Sequence, residues 1–473
     1  MGSILKKLEP VQANLQPNLT KTLAGLKAIV VGAGFAGLAC ASDIARRGGD
    51  VTVFESADAV RTAGDIILFG PNATRVVGKY GKGVLDELMK VASQPKVMDI
   101  YDKHGKVLLR QEVEEDSDGW PNAYGYRGHT QMVMFQFAQE VGIKFVYNSN
   151  VKEYFETDTS AGIIVNGVKY EADLVIGADG IHSKARSFVT GKPDRPTPSG
   201  FALFRAWFPL DVLRRNPKTK HIADDPEPWF NIWIMEDCHA VLTTNKTLDR
   251  GTCFATHKDD KDILEDWTLP GKKEDMLKVV EGCDPQLVET VKELIEENLI
   301  DYKILWRDPI KPWVSPKGRV CIVGDAAHPH LATSATGGAQ GVEDGATIAA
   351  CLEEAGKDGV PNALRVFEKL RFERTSLTQR MGWELRHRWH QTDWEAVAKD
   401  PNYLQFRQPR WLVGIDAEDY AHENYAAALA NLKDGTPFTP TNVPEDYVHE
   451  DWTVAELMEK EKGLADESFF KVR

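Results

Sequence analysis

Short apolar runs that end in glycine or aspartate occur at three separate places along the chain. Residues Lys27–Val31 are β-branched and almost wholly apolar, which is typical of a strand buried on both faces. Residues Tyr170–Gly177 and Gly318–Gly324 show the same pattern, and an Asp-containing turn follows each. Ligands bind at the carboxyl ends of the strands in open parallel sheets. The three runs therefore predict one sheet, built from separated segments, with a ligand along that edge.

The remaining patterns divide the rest of the chain. Helical periodicity over Leu38–Arg47 and a strand over Asp50–Glu55 complete a βαβ unit with the first run, so the sequence predicts an α/β, Rossmann-like domain. Residues 196–305 alternate polar and apolar positions and are rich in aromatics, which predicts a second, mostly antiparallel sheet domain. Residues 361–395 have helical periodicity, and 396–473 are interpreted as a helical, acidic tail.

A glycine-rich turn joins the first predicted strand to the first predicted helix. Gly32 permits the tight turn, Gly34 allows the backbone to approach a pyrophosphate, and Gly37 allows the helix to pack on the strand. Glu55 closes the second strand, where an acidic side chain accepts ribose hydroxyls. This GxGxxG motif predicts a dinucleotide site with an unphosphorylated ribose, either FAD or NAD; its letters are Gly32-Ala33-Gly34-Phe35-Ala36-Gly37.

Composition excludes several classes of protein. The 473 residues carry 71 acidic and 57 basic side chains, a formal net charge of −14, so no nucleic-acid or anionic-lipid partner is expected. The six cysteines show neither a CxxC motif nor metal-ligand spacing, which argues against a disulfide scaffold and a metal site. No apolar run predicts a membrane span and no secretory signal is evident, so a cytoplasmic location is expected.

Two further motifs carry a family resemblance. Residues Ile176–Arg186 (IGADGIHSKAR) resemble the DG motif, and Val323–Pro329 (VGDAAHP) resemble the GD motif, of the class A, salicylate hydroxylase-like flavoprotein monooxygenases. The motifs occur in the order GxGxxG, Arg127, DG and GD, and together they span about residues 27–375. Overall, the chain resembles fungal-type enzymes of secondary metabolism. The resemblance implies FAD as cofactor, with NADPH or NADH as a transient reductant in a shallow site, because the sequence contains only one dinucleotide fingerprint.

The resemblance also implies roles for residues around the cofactor. Glu55 would hold the adenosine ribose, Arg127 would lie beside the phosphates, and Asp325 would bind the ribityl chain. Backbone amides at Gly337 and Gly338, at a helix N-terminus, would face the pyrimidine edge of the flavin and stabilise its negative charge when reduced.

Three more positions complete the predicted site. Asp179 of the DG motif is associated in the family with FAD and NAD(P)H, although a helix-capping aspartate is an equally good interpretation. Gly64 lies in Ala63-Gly64-Asp65-Ile66, which stands where relatives carry the flavin-contacting Gly-Ala-Gly-Ile segment. Asp65 would accept a hydrogen bond from a substrate N–H or O–H. Arg205 interrupts an apolar run and would donate to a peroxide or substrate oxygen, with an ion pair at the sheet edge as the alternative.

The implied reaction is hydroxylation or epoxidation of an electron-rich aromatic, such as an indole alkaloid or a phenol, with O₂ through a C4a-hydroperoxyflavin. The substrate pocket is expected within 196–305, although most of its aromatics are interpreted as core; they are Phe201, Phe204, Trp207, Phe208, Trp229, Phe230, Trp233 and Phe254. His239 and His257 are interpreted as ordinary sheet residues. The alternatives are a halogenase-like enzyme, a flavin-dependent isoprenoid reductase and a non-catalytic FAD-binding sensor.

The predicted organisation follows from these assignments. It comprises an N-terminal lead-in (1–24), an FAD-binding domain in two segments (25–195 and 306–375), a substrate-binding sheet domain (196–305) and a helical C-terminal region (376–473).

Overall fold

The structure is a computed structural model of the chain. It describes residues 14–60, 64, 66–194, 196–259 and 269–460. Two sheets and a set of long helices organise this part of the chain, and the predicted ligand edge lies where they meet.

The first sheet is parallel and five-stranded, and its strands come from distant parts of the sequence. Its order is Lys144–Val146, Asp50–Phe54, Lys27–Val31, Leu174–Gly177 and Val320–Ile322. The three apolar runs therefore lie side by side as predicted. Burial on both faces explains why these strands show continuous apolar runs rather than alternation.

One predicted strand is divided in the structure. The run Tyr170–Gly177 forms parts of two strands: Val168–Ala172, which belongs to an antiparallel hairpin, and Leu174–Gly177 of the parallel sheet. Asp173 stands between them and accepts a hydrogen bond from the backbone N–H of Lys27, with an Oδ2–N distance of 2.7 Å. This contact fixes the corner at which the chain leaves the hairpin, and Asp173 was the one sign of that corner in the sequence.

The second sheet has seven strands and is mainly antiparallel. One face packs on short helices and forms a separate core, while the other face carries a cavity described below. The strand order is Leu299–Trp306, Thr197–Pro209, Arg250–Lys258, Cys238–Asn245, Phe230–Met235, Val97–Asp102 and Val107–Glu112.

The strands Val97–Asp102 and Val107–Glu112 join this sheet from the part of the chain assigned by sequence to the cofactor domain. The boundaries of the predicted domains otherwise stay a prediction.

Small sheets and helices complete the fold. The small sheets are Gln16–Pro17 with Gly81–Lys82, Ile66–Phe69 with Ala123–Tyr126, Asp116–Ser117 with Trp120–Pro121, and Glu153–Glu156 with Ala161–Val165 and Val168–Ala172. The α-helices are Phe35–Arg46, Pro71–Lys79, Val84–Met89, Arg127–Glu140, Lys184–Thr190, Asp211–Arg214, Lys220–Asp224, Lys273–Val279, Pro285–Glu293, Gly337–Ala355, Val360–His390, Trp394–Lys399, Arg410–Val413, Ala417–Asp434 and Val454–Lys460. Among the described residues, no helix is long and apolar enough to span a membrane.

Two helices approach each other closely beneath the parallel sheet. Gly345 in the helix Gly337–Ala355 faces the helix Phe35–Arg46, and a Cβ atom at this position would lie 2.7 Å from the backbone N of Cys40. Only glycine permits this separation. The close approach aligns the N-termini of both helices along the ligand edge.

A buried network of charges ties the helices together. Glu343 and Asp344 are fully buried, and Arg371 and Arg374 from the helix Val360–His390 pair with them. Arg374 Nε lies 2.8 Å from Glu343 Oε2, and Arg371 Nε lies 2.8 Å from Asp344 Oδ1. Burial by itself raises the pKa of Glu343, but the two arginines outweigh that effect and hold the pKa at about 2.

Loss of one cation from this network should destabilise the fold strongly. Substitution Arg371→Met leaves two buried carboxylates with reduced compensation, so we expect the free energy of unfolding to fall by about 3–5 kcal/mol in urea titrations. The matched control on the same helix is Lys369→Met, because the interactions of Lys369 are partly exposed: a pair with Glu373 at 3.9 Å and a contact with the Phe438 ring at 5.8 Å. This variant should change stability by less than about 1 kcal/mol. Equal midpoints for the two variants would contradict the role of the network.

Candidate active site

The glycine-rich turn follows the central strand of the parallel sheet directly. Gly32 has a φ of +104°, and a Cβ atom there would lie 2.3 Å from the carbonyl oxygen of Ala178 in the DG segment. A Cβ atom at Gly37 would lie 2.0 Å from the carbonyl oxygen of Gly32. Both positions therefore require glycine, and the turn is packed tightly against the neighbouring strand end.

The helix that begins at Phe35 presents its N-terminus at this edge. No side chain caps it, and a Cβ atom at Gly34 would point into open space. An uncapped helix N-terminus with an unobstructed approach suits an anion such as a pyrophosphate. The carboxylate of Glu55 stands beside the turn and accepts hydrogen bonds from the N–H groups of Ala33 and Ala57, each at 2.8 Å.

Arg127 lies next to the same turn. It begins the helix Arg127–Glu140, and its guanidinium lies 4.9 Å from the ring centroid of Phe35. Gly64 has a φ of +131°, and a Cβ atom there would lie 2.5 Å from Cδ of Arg127. One turn further along the helix, Gln131 Nε2 donates to the carbonyl oxygen of Ala33 at 2.8 Å. Sequence reasoning missed Gln131, although its position one helical turn after Arg127 puts both side chains on one face.

Asp179 of the DG motif helps to cap the helix Lys184–Thr190, whose N-cap residue is Ser183. Its Oδ2 accepts the N–H groups of Lys184 and Ala185 at 2.8 and 3.1 Å, and its other oxygen accepts the hydroxyl of Ser183. The hydroxyl of Tyr154 donates to Oδ2 as well, at 3.2 Å. The capping interpretation therefore describes what this carboxylate does among the residues of the chain, and contact with a cofactor stays a prediction.

Asp325 of the GD motif lies in the wall of the central cavity. Its side chain is exposed to the cavity, and partial desolvation by the surrounding protein raises the pKa of this carboxyl, whereas His328, Arg127 and Arg186 oppose the effect. The GD backbone is fixed by Arg186, which donates to the carbonyl oxygens of Asp325 and Ala326 at 2.6 and 2.7 Å. Arg186 is in turn paired with Asp194 at 2.8 Å. The anchoring role of Arg186 was not predicted, although this residue closes the quoted DG segment.

Gly337 and Gly338 begin the long helix Gly337–Ala355, and no side chain caps its N-terminus. A Cβ atom at Gly338 would lie 2.8 Å from Cδ1 of Ile67, and one at Gly337 would lie 3.1 Å from Cβ of His330. Both glycines line the cavity. Negative charge placed at this helix end would be stabilised by the helix dipole.

A cavity of about 320 Å³ lies between the seven-stranded sheet and the DG and GD loops, which contribute Ile181 and Asp325 to its lining. Asp325, Arg127, Gly337 and Gly338 lie at its cofactor end, and Arg205 lies in its wall on the seven-stranded sheet. The structure thus brings these five predicted residues to one space, and Gly32, Gly34, Phe35, Ala36, Gly37, Glu55, Gly64 and Asp179 lie along the adjoining sheet edge. Asp65 lies outside the described residues.

The wall of the cavity follows the pleat of the seven-stranded sheet. In the strand Thr197–Pro209, Phe201, Leu203 and Arg205 face the cavity, whereas Phe204 and Phe208 belong to the core on the other face. Among the eight aromatics considered from sequence, Phe201, Phe230 and Phe254 line the cavity. Trp233 is buried in the opposite core with Trp229 packed against it, and Trp207 stacks on Tyr126 with a centroid distance of 4.7 Å.

Sequence reasoning missed one side of the cavity. The C-terminal turn of the helix Val360–His390 contributes Arg386, Trp389 and His390 to the lining. These residues are spaced i, i+3 and i+4, so they share one helix face. That spacing was the available signal, but nothing local in the sequence indicates which sheet this face meets. The described part of the chain contains no cluster of side chains suited to a metal ion.

The comparisons with known proteins agree with this geometry. Residues 26–378 match the FAD binding domain family, and the chain belongs to that family. It is 32% identical over 445 residues to the asperlicin C monooxygenase of Petromyces alliaceus, covering 89% of this chain and 93% of that protein. It is also 32% identical over 450 residues to the FAD-dependent monooxygenase nodY2 of Hypoxylon pulicicidum, covering 89% of this chain and 96% of that protein.

Solved structures show the same fold. CtdE in complex with FAD and its substrate 4 superposes with a TM-score of 0.82 at 29% identity, covering 86% of this chain and 100% of that one. A salicylate hydroxylase substrate complex superposes with a TM-score of 0.69 at 22% identity, covering 85% and 98%, and this likeness concerns the fold alone. The protein is thus an FAD-dependent monooxygenase of the fungal secondary-metabolite type, and the halogenase, reductase and sensor alternatives are not favoured.

FAD fits the residues that the structure assembles. The open approach at Gly34, the uncapped helix N-terminus and the carboxylate at the end of the second strand match a pyrophosphate followed by a ribose. Glu55 would hold the ribose, Arg127 would lie beside the phosphates, and Gly337 and Gly338 would face the flavin.

Glu55 should contribute measurably to cofactor affinity. Substitution Glu55→Gln removes the charge of the carboxylate expected to accept the ribose hydroxyls. We expect the Kd for FAD, measured by fluorescence quenching during reconstitution of the apoprotein, to rise about tenfold or more. The control is Asp50→Asn at the opposite end of the same strand, where Asp50 forms an exposed pair with Lys144. An unchanged Kd in Glu55→Gln would show that the ribose is held elsewhere.

Proposed function

We propose that the protein uses NAD(P)H and O₂ to hydroxylate or epoxidise an electron-rich aromatic, an indole or a phenol of secondary metabolism. The observation that carries this proposal is the shared cavity, which joins the predicted flavin-facing amides of Gly337 and Gly338 to Arg205 and an aromatic wall. In hydroxylation, one atom of O₂ is inserted into a C–H bond of the substrate. The other atom is reduced to water by two electrons from NAD(P)H, with protons taken from NAD(P)H and solvent. Bound FAD would supply this redox chemistry by accepting the electrons and activating O₂.

The lining of the cavity suits an aromatic substrate. Apolar and aromatic side chains predominate, and they are supplied mainly by the seven-stranded sheet, by the small sheet of Ile66–Phe69 with Ala123–Tyr126, and by the helix Val360–His390. Such a wall orients a flat ring and limits the access of water to the reacting atoms. Phe201, Phe230, Phe254 and Tyr302 would hold the ring, with Ile66 and Ile67 on the cofactor side.

Polar groups at the two ends would set the chemistry. The uncapped amides at Gly337 and Gly338 would stabilise negative charge on the reduced cofactor. Arg205, whose guanidinium lies 5.6 Å from the ring centroid of Tyr302, would donate hydrogen bonds to the oxygen being transferred or to a substrate oxygen. Asp65, which precedes Ile66 in the sequence and lies outside the described residues, is proposed to accept a hydrogen bond from a substrate N–H or O–H and raise electron density on the ring.

The reaction class is tested with purified holoenzyme. We expect a yellow protein whose NAD(P)H oxidation accelerates with one member of a panel of small indoles and phenols and which forms a product about 16 Da heavier. With ¹⁸O₂, the product mass should rise by about two further units. NAD(P)H oxidation that no indole or phenol accelerates would reject the proposed substrate class.

Arg205 should affect oxygen transfer more than flavin reduction. In Arg205→Met we expect product formed per NAD(P)H consumed to fall about tenfold or more, with hydrogen peroxide released instead, because the removed donor acts only after reduction. Rapid-mixing absorbance gives the rate of flavin reduction, which should change less than threefold. The control is Lys258→Met, since Lys258 lies exposed in the same sheet and pairs with Asp237. Unchanged coupling in Arg205→Met would support the ion-pair alternative for this residue.

A further inference from the structure

A buried pair of histidines lies in the wall of the cavity. His239 Nδ1 and His390 Nε2 are 2.8 Å apart, and both rings line the cavity, one from the seven-stranded sheet and one from the end of the helix Val360–His390. The two side chains are 3% and 4% exposed. Their contact is therefore shielded from bulk water, and it joins two elements that are distant in sequence.

Both rings are neutral at physiological pH. Burial lowers the pKa of His239 to about 3. Burial also lowers the pKa of His390, and His239, Arg386 and His387 lower it further. Two neutral imidazoles in contact share a single hydrogen, so one ring nitrogen donates and the other accepts.

Thr256 accommodates either arrangement of that hydrogen. Its hydroxyl donates to the carbonyl oxygen of His239 at 3.2 Å and accepts the backbone N–H of the same residue at 2.9 Å. Its oxygen lies 3.2 Å from His390 Nε2 and 3.4 Å from His239 Nδ1. The hydroxyl therefore faces the shared hydrogen from the side and does not decide which ring donates.

The second nitrogen of His390 decides the direction of the bond. His390 Nδ1 is buried and has no hydrogen-bond partner in the described part of the chain. If His239 donated, His390 would carry its hydrogen on Nδ1, a buried N–H without an acceptor, which is costly. If His390 Nε2 donates, only a lone pair at Nδ1 goes unused. The hydrogen of His239 is then on Nε2, which forms no hydrogen bond to the described residues but, unlike His390 Nδ1, is open to the cavity, where an acceptor can reach it.

We propose that His239 Nε2–H donates a hydrogen bond to a carbonyl oxygen of the aromatic substrate, and that His390 is the positioning residue that fixes this tautomer. The proposal rests on the proposed function, because it requires the aromatic substrate to occupy the cavity. A neutral donor rewards a neutral acceptor and, unlike the cavity-lining Arg386, brings no charge to compensate a carboxylate. The pair would thus select substrates that carry a carbonyl on the side chain of the ring.

The proposal is tested by binding of two probes that differ in one group. Indole-3-acetamide carries a carbonyl, and 3-propylindole is a similarly sized analogue without it. Their dissociation constants for the oxidised holoenzyme are obtained from changes in the visible absorption of the flavin. The preference is the Kd of 3-propylindole divided by the Kd of indole-3-acetamide. We expect this ratio to be about three- to tenfold larger in the native protein than in the His239→Phe variant.

Two variants separate hydrogen bonding from structural damage. In His239→Gln the side-chain amide supplies an N–H near the position of Nε2, so the preference for indole-3-acetamide should return. In His257→Gln the preference should stay at the native value, because His257 pairs with Asp301 at 2.9 Å and does not line the cavity. An equal preference in the native protein and His239→Phe overturns the proposal, as does a native protein without any preference.

The tautomer is tested independently of any ligand. Nitrogen-15 NMR of holoenzyme labelled at the histidine rings, with the signal of His239 assigned by its loss in His239→Gln, should show a neutral Nε2–H ring from about pH 5.5 to 9. A ring that titrates in this range, or one that carries its hydrogen on Nδ1, overturns the proposal. Neither measurement requires turnover. An enzyme that passes both tests and oxygenates no aromatic would therefore refute the proposed function alone.

Discussion

The fold depends on two adjacent carboxylates buried at one point. Glu343 and Asp344 lie on the helix that begins at the cavity, and both are fully buried. Asp344 accepts the N–H of Gly324 and contacts His328 in the GD loop, whereas Glu343 accepts from Asn72 and Gln340. Charge that cannot reach water must be matched in place. The positions of the surrounding segments are therefore coupled to one another.

The arginines carry this coupling to the C-terminal region. Arg374, fully buried, donates to the carbonyl oxygens of Trp411, Leu412 and Asn442 as well as to Glu343. The same side chain thus satisfies a carboxylate near the GD loop and backbone groups about forty to seventy residues further along the chain. The helix Val360–His390 consequently has little freedom to rotate or slide. Its last turn, which lines the cavity, is held by groups four helical turns away.

The local parts of the structure could be predicted from sequence. The strand Lys27–Val31, the glycine turn and the following helix follow from apolar continuity, steric limits at glycine and helical periodicity, all of which act over a few residues. The motifs also indicated which strand ends meet. The strands Val97–Asp102 and Val107–Glu112 could not be assigned, because their membership in the seven-stranded sheet depends on partners more than one hundred residues away.

The predicted site was most complete where one motif supplies neighbouring residues and least complete where separate elements meet. Arg205 was singled out because a charge interrupts an apolar run; it lines the cavity, and its role stays a prediction. His239 was interpreted as an ordinary sheet residue, which is correct for its strand but omits its contact with His390, a residue 151 positions later. Such a contact exists only once a helix crosses a sheet, and neither sequence segment contains a sign of the other.

The alternation of the seven-stranded sheet has an evolutionary consequence. Alternate residues of one strand serve two unrelated purposes: Leu203 faces the cavity, while its neighbours Phe204 and Ala206 fill the core behind the sheet. Substitutions at cavity-facing positions can therefore accumulate without disturbing the packing that supports the strand. A lineage of such enzymes can acquire new substrates by drift on one face of the sheet while the opposite face remains under selection for stability.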